Sequence, residues 1–236
     1  MPIKILSLTL LLVPALMACQ AVPRPDAGGA VTRAPGDEDI VLPEGRRYVV
    51  LSHQSEARII AYPAGSLARA GHPHVIGGAV IDGEIVVAED FRDSGLRLSL
   101  DVSALDLDRP EWRSDEGFEP EMPESAIQDT RSNMLSDEQL DAESHPRILI
   151  ESLGLTGPHW QPDVEVRITL AGTARELTVP VALRFNDHEL EATGRFVIRQ
   201  SDFGIEPFSA AGGNLRVADE VLVRFRVLAM ANGSRG

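Results

Sequence analysis

Three histidines offer the most specific side-chain chemistry in the chain. In Ala68-Arg-Ala-Gly-His-Pro-His-Val-Ile-Gly-Gly78, His72 and His74 lie two residues apart. On a strand such neighbours share a face, so both imidazoles would point the same way. With His145 or an acidic side chain folded alongside, they would form a three-ligand site for zinc, or reach a haem iron. Pro73 argues against this, because a residue without an N–H disturbs regular ladder pairing. The pair then reads more simply as polar residues at the rim of a β-barrel. No Cys-x-x-Cys or His-Glu-x-x-His pattern accompanies it.

Other reactive groups point to less. Ser52-His53 is present without a Gly-x-Ser-x-Gly elbow, and no nucleophile stands in a diagnostic setting, so no enzyme is expected. The acidic residues Asp115-Glu116 and Glu119–Glu124 lack the ligand spacing of a calcium loop and read as a solvated connection. The single cysteine, Cys19, is more informative. Lys4 and the apolar run Ile5–Val13 form a signal-peptide pattern too short to span a bilayer, and Leu16-Met17-Ala18-Cys19 resembles a bacterial lipobox. In that reading residues 1–18 are removed, the Cys19 thiol is lipidated and anchors the chain to a membrane, and Gln20 directs it to the periplasmic side of the outer membrane. A lone cysteine forms no intrachain disulfide, so the domain must rest on its own core.

The net charge is −14, and removal of Lys4 with the leader makes it −15. Such a surface repels phosphate backbones, so a nucleic-acid partner is not expected. Residues 19–45 are rich in Pro, Gly, Ala and Asp without periodicity and read as a flexible tether. The folded part is expected over 46–230, followed by a tail at 231–236, and could pair as a homodimer.

The elements that must position any site are strands. Leu96, Leu98, Leu100 and Val102 alternate with polar residues, as do Val164–Leu170, Val179–Phe185 and Val221–Val227. Tyr48–Leu51, Glu56–Ile60, Ile85–Val87, Arg147–Ile150 and Arg195–Ile198 are further candidates. Asp82-Gly83, Ala171-Gly172-Thr173 and Asn186-Asp187-His188 read as turns. Pro180 should lie at an edge or bulge. The stretch from Glu116 to His145 breaks the alternation, with helix expected over Glu124–Leu135 and again over Asp137–Ala142, the latter opened by Ser136 as a capping residue. Trp112 and Trp160 fall in loop-like segments. Many short strands joined by hairpins predict an all-β fold, an antiparallel barrel or sandwich with a short helical insertion.

Four stretches resemble the YceI-like family of lipocalin-like barrels. They are Arg131-Ser-Asn-Met-Leu135 with Leu140-Asp141 and His145-Pro-Arg-Ile-Leu-Ile-Glu-Ser152; Leu170-Ala-Gly-Thr-Ala-Arg175 with Leu177-Thr-Val-Pro180; Arg199-Gln-Ser-Asp-Phe-Gly-Ile205; and the closing strand Val221–Leu228. The sequence departs from the family pattern at Gln54-Ser55 and in the longer segment Tyr62–His74. The resemblance implies a barrel of about eight strands holding a long apolar, lipid-like ligand such as an isoprenoid, quinone or fatty-acyl chain, with no cofactor required. Leu98, Leu100, Ile168, Leu183, Phe185, Phe196 and Phe225, with Val227, are expected to line its interior. Phe203 joins them through Ser201-Asp202-Phe203-Gly204, where Gly204 should permit a bend and Asp202 should cap nearby N–H groups. The alternating pattern by itself fits a filled core equally well. The alternative function is a metal- or haem-linked redox partner using His72, His74 and His145.

Overall fold

The computed structural model describes residues 41–78 and 80–232. The expected leader, Cys19 and most of the tether lie outside the described residues. Within them the strands, in chain order, are β1 (Arg46–Val50), β2 (Glu56–Ala61), β3 (Pro63–Ala64), β4 (His74–Gly78), β5 (Ile81–Val87), β6 (Gly95–Asp101), β7 (Asp106–Leu107), β8 (Arg147–Thr156), β9 (Asp163–Leu170), β10 (Thr173–Phe185), β11 (Glu189–Arg199), β12 (Ser209–Ala210), β13 (Leu215–Val217) and β14 (Glu220–Ala231). The helices are α1 (Pro110–Asp115) and α2 (Glu124–Leu135).

All pairings are antiparallel, and β1, β5, β6, β8, β9, β10, β11 and β14 close into a barrel through a final β1–β14 pairing. The long strand β14 makes closure possible. Its second half pairs with β1, as in Val50↔Ala229, and its first half pairs with β2, as in Ile60↔Leu222. A single helical turn at Ser52–Gln54 separates β1 from β2, so one bent strand runs along β14 and then carries β4 and β7 outward as a flap. Most inward residues of these strands are apolar, as the period-two rule predicts, and Val164, Val166, Ile168 and Leu170 of β9 are all buried.

Turn chemistry follows φ. Ala171 and Gly172 both have positive φ, at 46° and 74°, and form the two-residue hairpin between β9 and β10. Asn186 carries the next hairpin, its side-chain oxygen accepting from the N–H groups of His188 and Glu189 at 2.8 and 3.0 Å. Asp82-Gly83 is not a turn. Both residues lie inside β5, opposite Ser99 and Leu98, and a Cβ on Gly83 would stand 2.2 Å from the Arg97 carbonyl. The glycine serves close backbone approach within a ladder. Pro180 is not at an edge or a bulge: it lies inside β10, paired with Asp163 of β9, one residue before the β10–β11 ladder begins at Val181↔Gly194, so its missing N–H falls where that ladder ends.

The insertion also differs from the sequence reading in part. Helix α2 occupies Glu124–Leu135, but residues 137–142 form turns, and Ser136 closes α2 by donating from its hydroxyl to Asn133 O at 2.7 Å. Trp112 is not in a loop. It lies on α1, 7% exposed, beneath the guanidinium of Arg109 at 4.8 Å from its ring. Asp115 and Glu116 are not merely solvated, since they pair with Arg58 and Arg224 on the outside of β2 and β14 at 3.0 and 2.7 Å. Two ion pairs, with the Arg58 guanidinium of β2 6.0 Å from the Trp112 ring, therefore clamp α1 to the sheet.

Candidate ligand-binding cavity

An eight-stranded barrel is just wide enough to be filled by its own side chains. This one is not filled. Its inward positions include Ala57, Ala61, Ala192, Gly95, Val166 and Val181, which are too short to reach the axis, and a cavity of about 370 Å³ remains. Among the described residues no Asp, Glu, Lys or Arg lines it. Leu98, Leu100, Ile168, Leu183, Phe196, Phe225 and Val227 all contribute to its wall. Phe185 and Phe203 do not. Phe185 stacks behind the lining residue Phe91, with ring centroids 6.0 Å apart, and Phe203 is 3% exposed in the core beside the cavity. Phe185 sits in the last pair of the β10–β11 ladder, at the rim of the barrel, and Phe203 lies past the end of β11 in a helical turn.

The Phe225 ring owes its position to the strand beside it. Gly194 is its register partner on β11, and a Cβ there would come within 2.6 Å of the ring. The missing side chain gives the ring a seat, and Phe196 packs edge-on to it with centroids 6.3 Å apart.

The two ends of the cavity differ. One end holds Phe91, Phe185, His159 and Trp160 in a contiguous aromatic cluster. At the opposite end, α2 and the turns after it cover the opening. Arg131 fastens this cover by donating to Ser103 O at 2.6 Å and to Leu105 O, just beyond the end of β6. Met134 and Leu140 reach the lumen from this cover, together with the polar Thr130, Asn133 and Gln139. Gly204, at φ 78°, permits the bend after β11, as its type suggested. The carboxylate that caps this bend is Asp219, which accepts from Ser201 N and Oγ at 2.8 and 2.6 Å, and not Asp202.

The histidines are not gathered. His72 is exposed ahead of β4, and His145 lies over Gly172 with its nearest acidic partner, Asp141, at 3.9 Å. Among the described residues no three His, Cys, Asp or Glu side chains form a group able to hold a metal ion. His74 instead begins β4 and lines the cavity. Its Nδ1 lies 2.6 Å from Asp108 Oδ2. Asp108 is 1% exposed, and its other oxygen accepts from Val75 N at 2.9 Å and from Arg113 Nη1 at 2.7 Å. Arg113 is equally buried and also donates to Pro73 O and Glu119 O, at 2.8 and 2.6 Å. Burial raises the Asp108 pKa. The hydrogen bonds and charges of His74, Val75 and Arg113 together outweigh it and hold the carboxyl below its ordinary value. Its backbone has a left-handed φ of 50°, a conformation costly for a non-glycine and retained here by this network. Sequence reading missed Asp108 and Arg113. Their only signal is a charged pair flanking Pro110 just after an apolar strand end, which is common in loops.

A closed antiparallel barrel around a largely apolar cavity defines a lipocalin-like architecture. Within that class the chain belongs to the YceI-like domain family, whose model matches residues 56–229. BcnA of Burkholderia cenocepacia is similar in fold, with a TM-score of 0.57 at 16% identity over 76% of this chain and 99% of that one. The Campylobacter jejuni YceI protein gives a TM-score of 0.48 at 11% identity, over 64% of this chain and 81% of that one. No curated protein matches the chain.

Proposed function

We propose that this protein is a binding protein, not an enzyme, that holds a long apolar chain in its barrel and needs no cofactor to do so. The ligand class is an isoprenoid, a quinone side chain or a fatty-acyl chain. The observation that carries this reading is the cavity of about 370 Å³ bounded by aliphatic and aromatic side chains. Its volume lies within the range of about 300–1,000 Å³ common for small-molecule sites. A slender chain is a suitable occupant because each buried CH₂ contributes about 0.8 kcal/mol. The leader and Cys19 support placement as a lipoprotein on the periplasmic side of the outer membrane.

The test combines lipid extraction with native mass spectrometry of protein purified from membrane-containing cells. Wild type should carry a stoichiometric apolar ligand. Phe225→Trp should place the larger ring in the lumen and lower ligand occupancy by roughly an order of magnitude, the cost of excluding one or two methylenes. A wild type that carries no lipid and takes none up from micelles would leave a structural barrel and end this proposal.

A further inference from the structure

The cavity has a direction. Its polar lining residues, His74, Thr130, Asn133, Gln139 and Gln200, are grouped at the end covered by α2. The ladders establish this grouping. His74 pairs with Ala61 at the end of β2, Gln200 follows the Arg199↔Glu220 pair that starts β14, and α2 is tied by Arg131 to the residues after β6. All these strand termini lie at one end of the barrel. At the other end the lining is aliphatic and aromatic except for Ser94, whose hydroxyl accepts from Ala88 N at 3.1 Å.

Resting on the apolar-chain reading above, we infer that the α2 end is a head-group site, built on His74, for an uncharged hydroxyl-bearing amphiphile. The tail of this ligand runs toward Phe91. His74 is oriented for the task, because its Nδ1–H donates to Asp108 and Asp108 is itself locked by Arg113 and Val75 N. This arrangement leaves Nε2, on a residue that lines the cavity, without a partner among the described residues. Thr130 and Asn133 line the same end and likewise have no side-chain partner among the described residues. Together they offer donors and acceptors within a few side chains of each other. A hydroxyl both donates and accepts, and so can use both kinds of group. A carboxylate or phosphate would find no lysine or arginine in the lining, and the nearby Arg113 guanidinium is engaged with Asp108 and two carbonyls. Charge therefore selects against ionised heads, and the polar end selects against bare hydrocarbons.

Chain-matched probes test this. The intact protein is equilibrated with detergent micelles holding equimolar hexadecanol, hexadecane and palmitate, and the bound lipids are extracted and quantified. Hexadecanol should be enriched over hexadecane by roughly tenfold, as one or two neutral hydrogen bonds allow, and palmitate should be the poorer competitor. In His74→Phe the alcohol preference should collapse toward unity. A second measurement uses wild type alone. A hexadecanol analogue with a diazirine beside the hydroxyl should crosslink to residues 130–140, and one with the diazirine at the tail should crosslink near Phe91. Equal uptake of alcohol and hydrocarbon, preference for palmitate, an unchanged preference in His74→Phe, or reversed crosslinks would each overturn the inference while leaving apolar-chain binding intact. Failure to take up any of the probes would strike the underlying binding reading itself.

Discussion

Asp108, just past β7, accepts hydrogen bonds from His74, Val75 N and Arg113 at once. It holds a buried carboxylate between Arg113, Val75 N and His74, in a backbone conformation that nothing local favours. Its pKa is lowered in the folded state, so its contribution is fully present above the ordinary carboxylate value. That contribution is lost as the pH falls through the depressed folded value, where the folded chain must also take up the proton. Asp108→Asn keeps the shape but leaves Arg113 buried without a counter-charge, and should cost about 3–5 kcal/mol at neutral pH. The same substitution should flatten the acid limb of stability, because the titrating group is gone. Chemical denaturation of both proteins between neutral pH and the acid range checks both expectations. Equal stability at neutral pH would mean that Arg113 finds another anion.

At the scale of elements, α2 acts as a cover and not as part of the wall. None of its residues is fully buried, and its attachment depends on Arg131 reaching Ser103 O and Leu105 O. Helix propensity is adequate for twelve residues, but packing is thin, so the anchor matters more than the helix. Arg131→Ala should lower overall stability by only about 1–2 kcal/mol, since two charge-assisted hydrogen bonds at a partly exposed site are lost. Lipid release should speed up several-fold, because the end of the barrel is left less firmly closed. Thermal melting and the rate of transfer of a fluorescent lipid to acceptor vesicles separate the two effects. A release rate unchanged by the substitution would mean that ligands pass elsewhere, the ladder break beside Pro180 being the next candidate.

For the whole molecule, charge and anchor act in different directions. A mature chain of net charge −15, once Lys4 is removed with the leader, gains nothing from anionic head groups. If the chain is the lipoprotein proposed above, its membrane residence would come from acyl chains at Cys19, where two chains together suffice for stable anchoring. Cys19→Ser should move the protein from the membrane fraction to the soluble fraction, or leave it unprocessed, without altering the melting of the barrel. Equal release of both proteins in a low-detergent wash would remove the lipoprotein assignment.

What could be read along the chain was what side chains decide locally. Alternation in Val164–Leu170 and Val221–Val227 marked β9 and β14 because the strand period of two is a property of the backbone, whatever the partner. Ala171-Gly172 marked its hairpin, and Glu124–Leu135 its helix, for similarly short-range reasons. Asp82-Gly83 misled because a glycine required by a neighbouring strand looks the same in sequence as one required by a turn. The lumen is a deficit of volume summed over many strands, from Ala57 of β2 to Ala192 of β11, and no one segment reveals whether the total fills the barrel. His74, Asp108 and Arg113 stand up to 39 residues apart, and only the pairing of β4 with β7 turns three ordinary loop-edge residues into one buried network. Chain order determined which residues could face inward. Closure of the barrel decided that they leave a cavity, and that all its polar lining residues but Ser94 lie at one end.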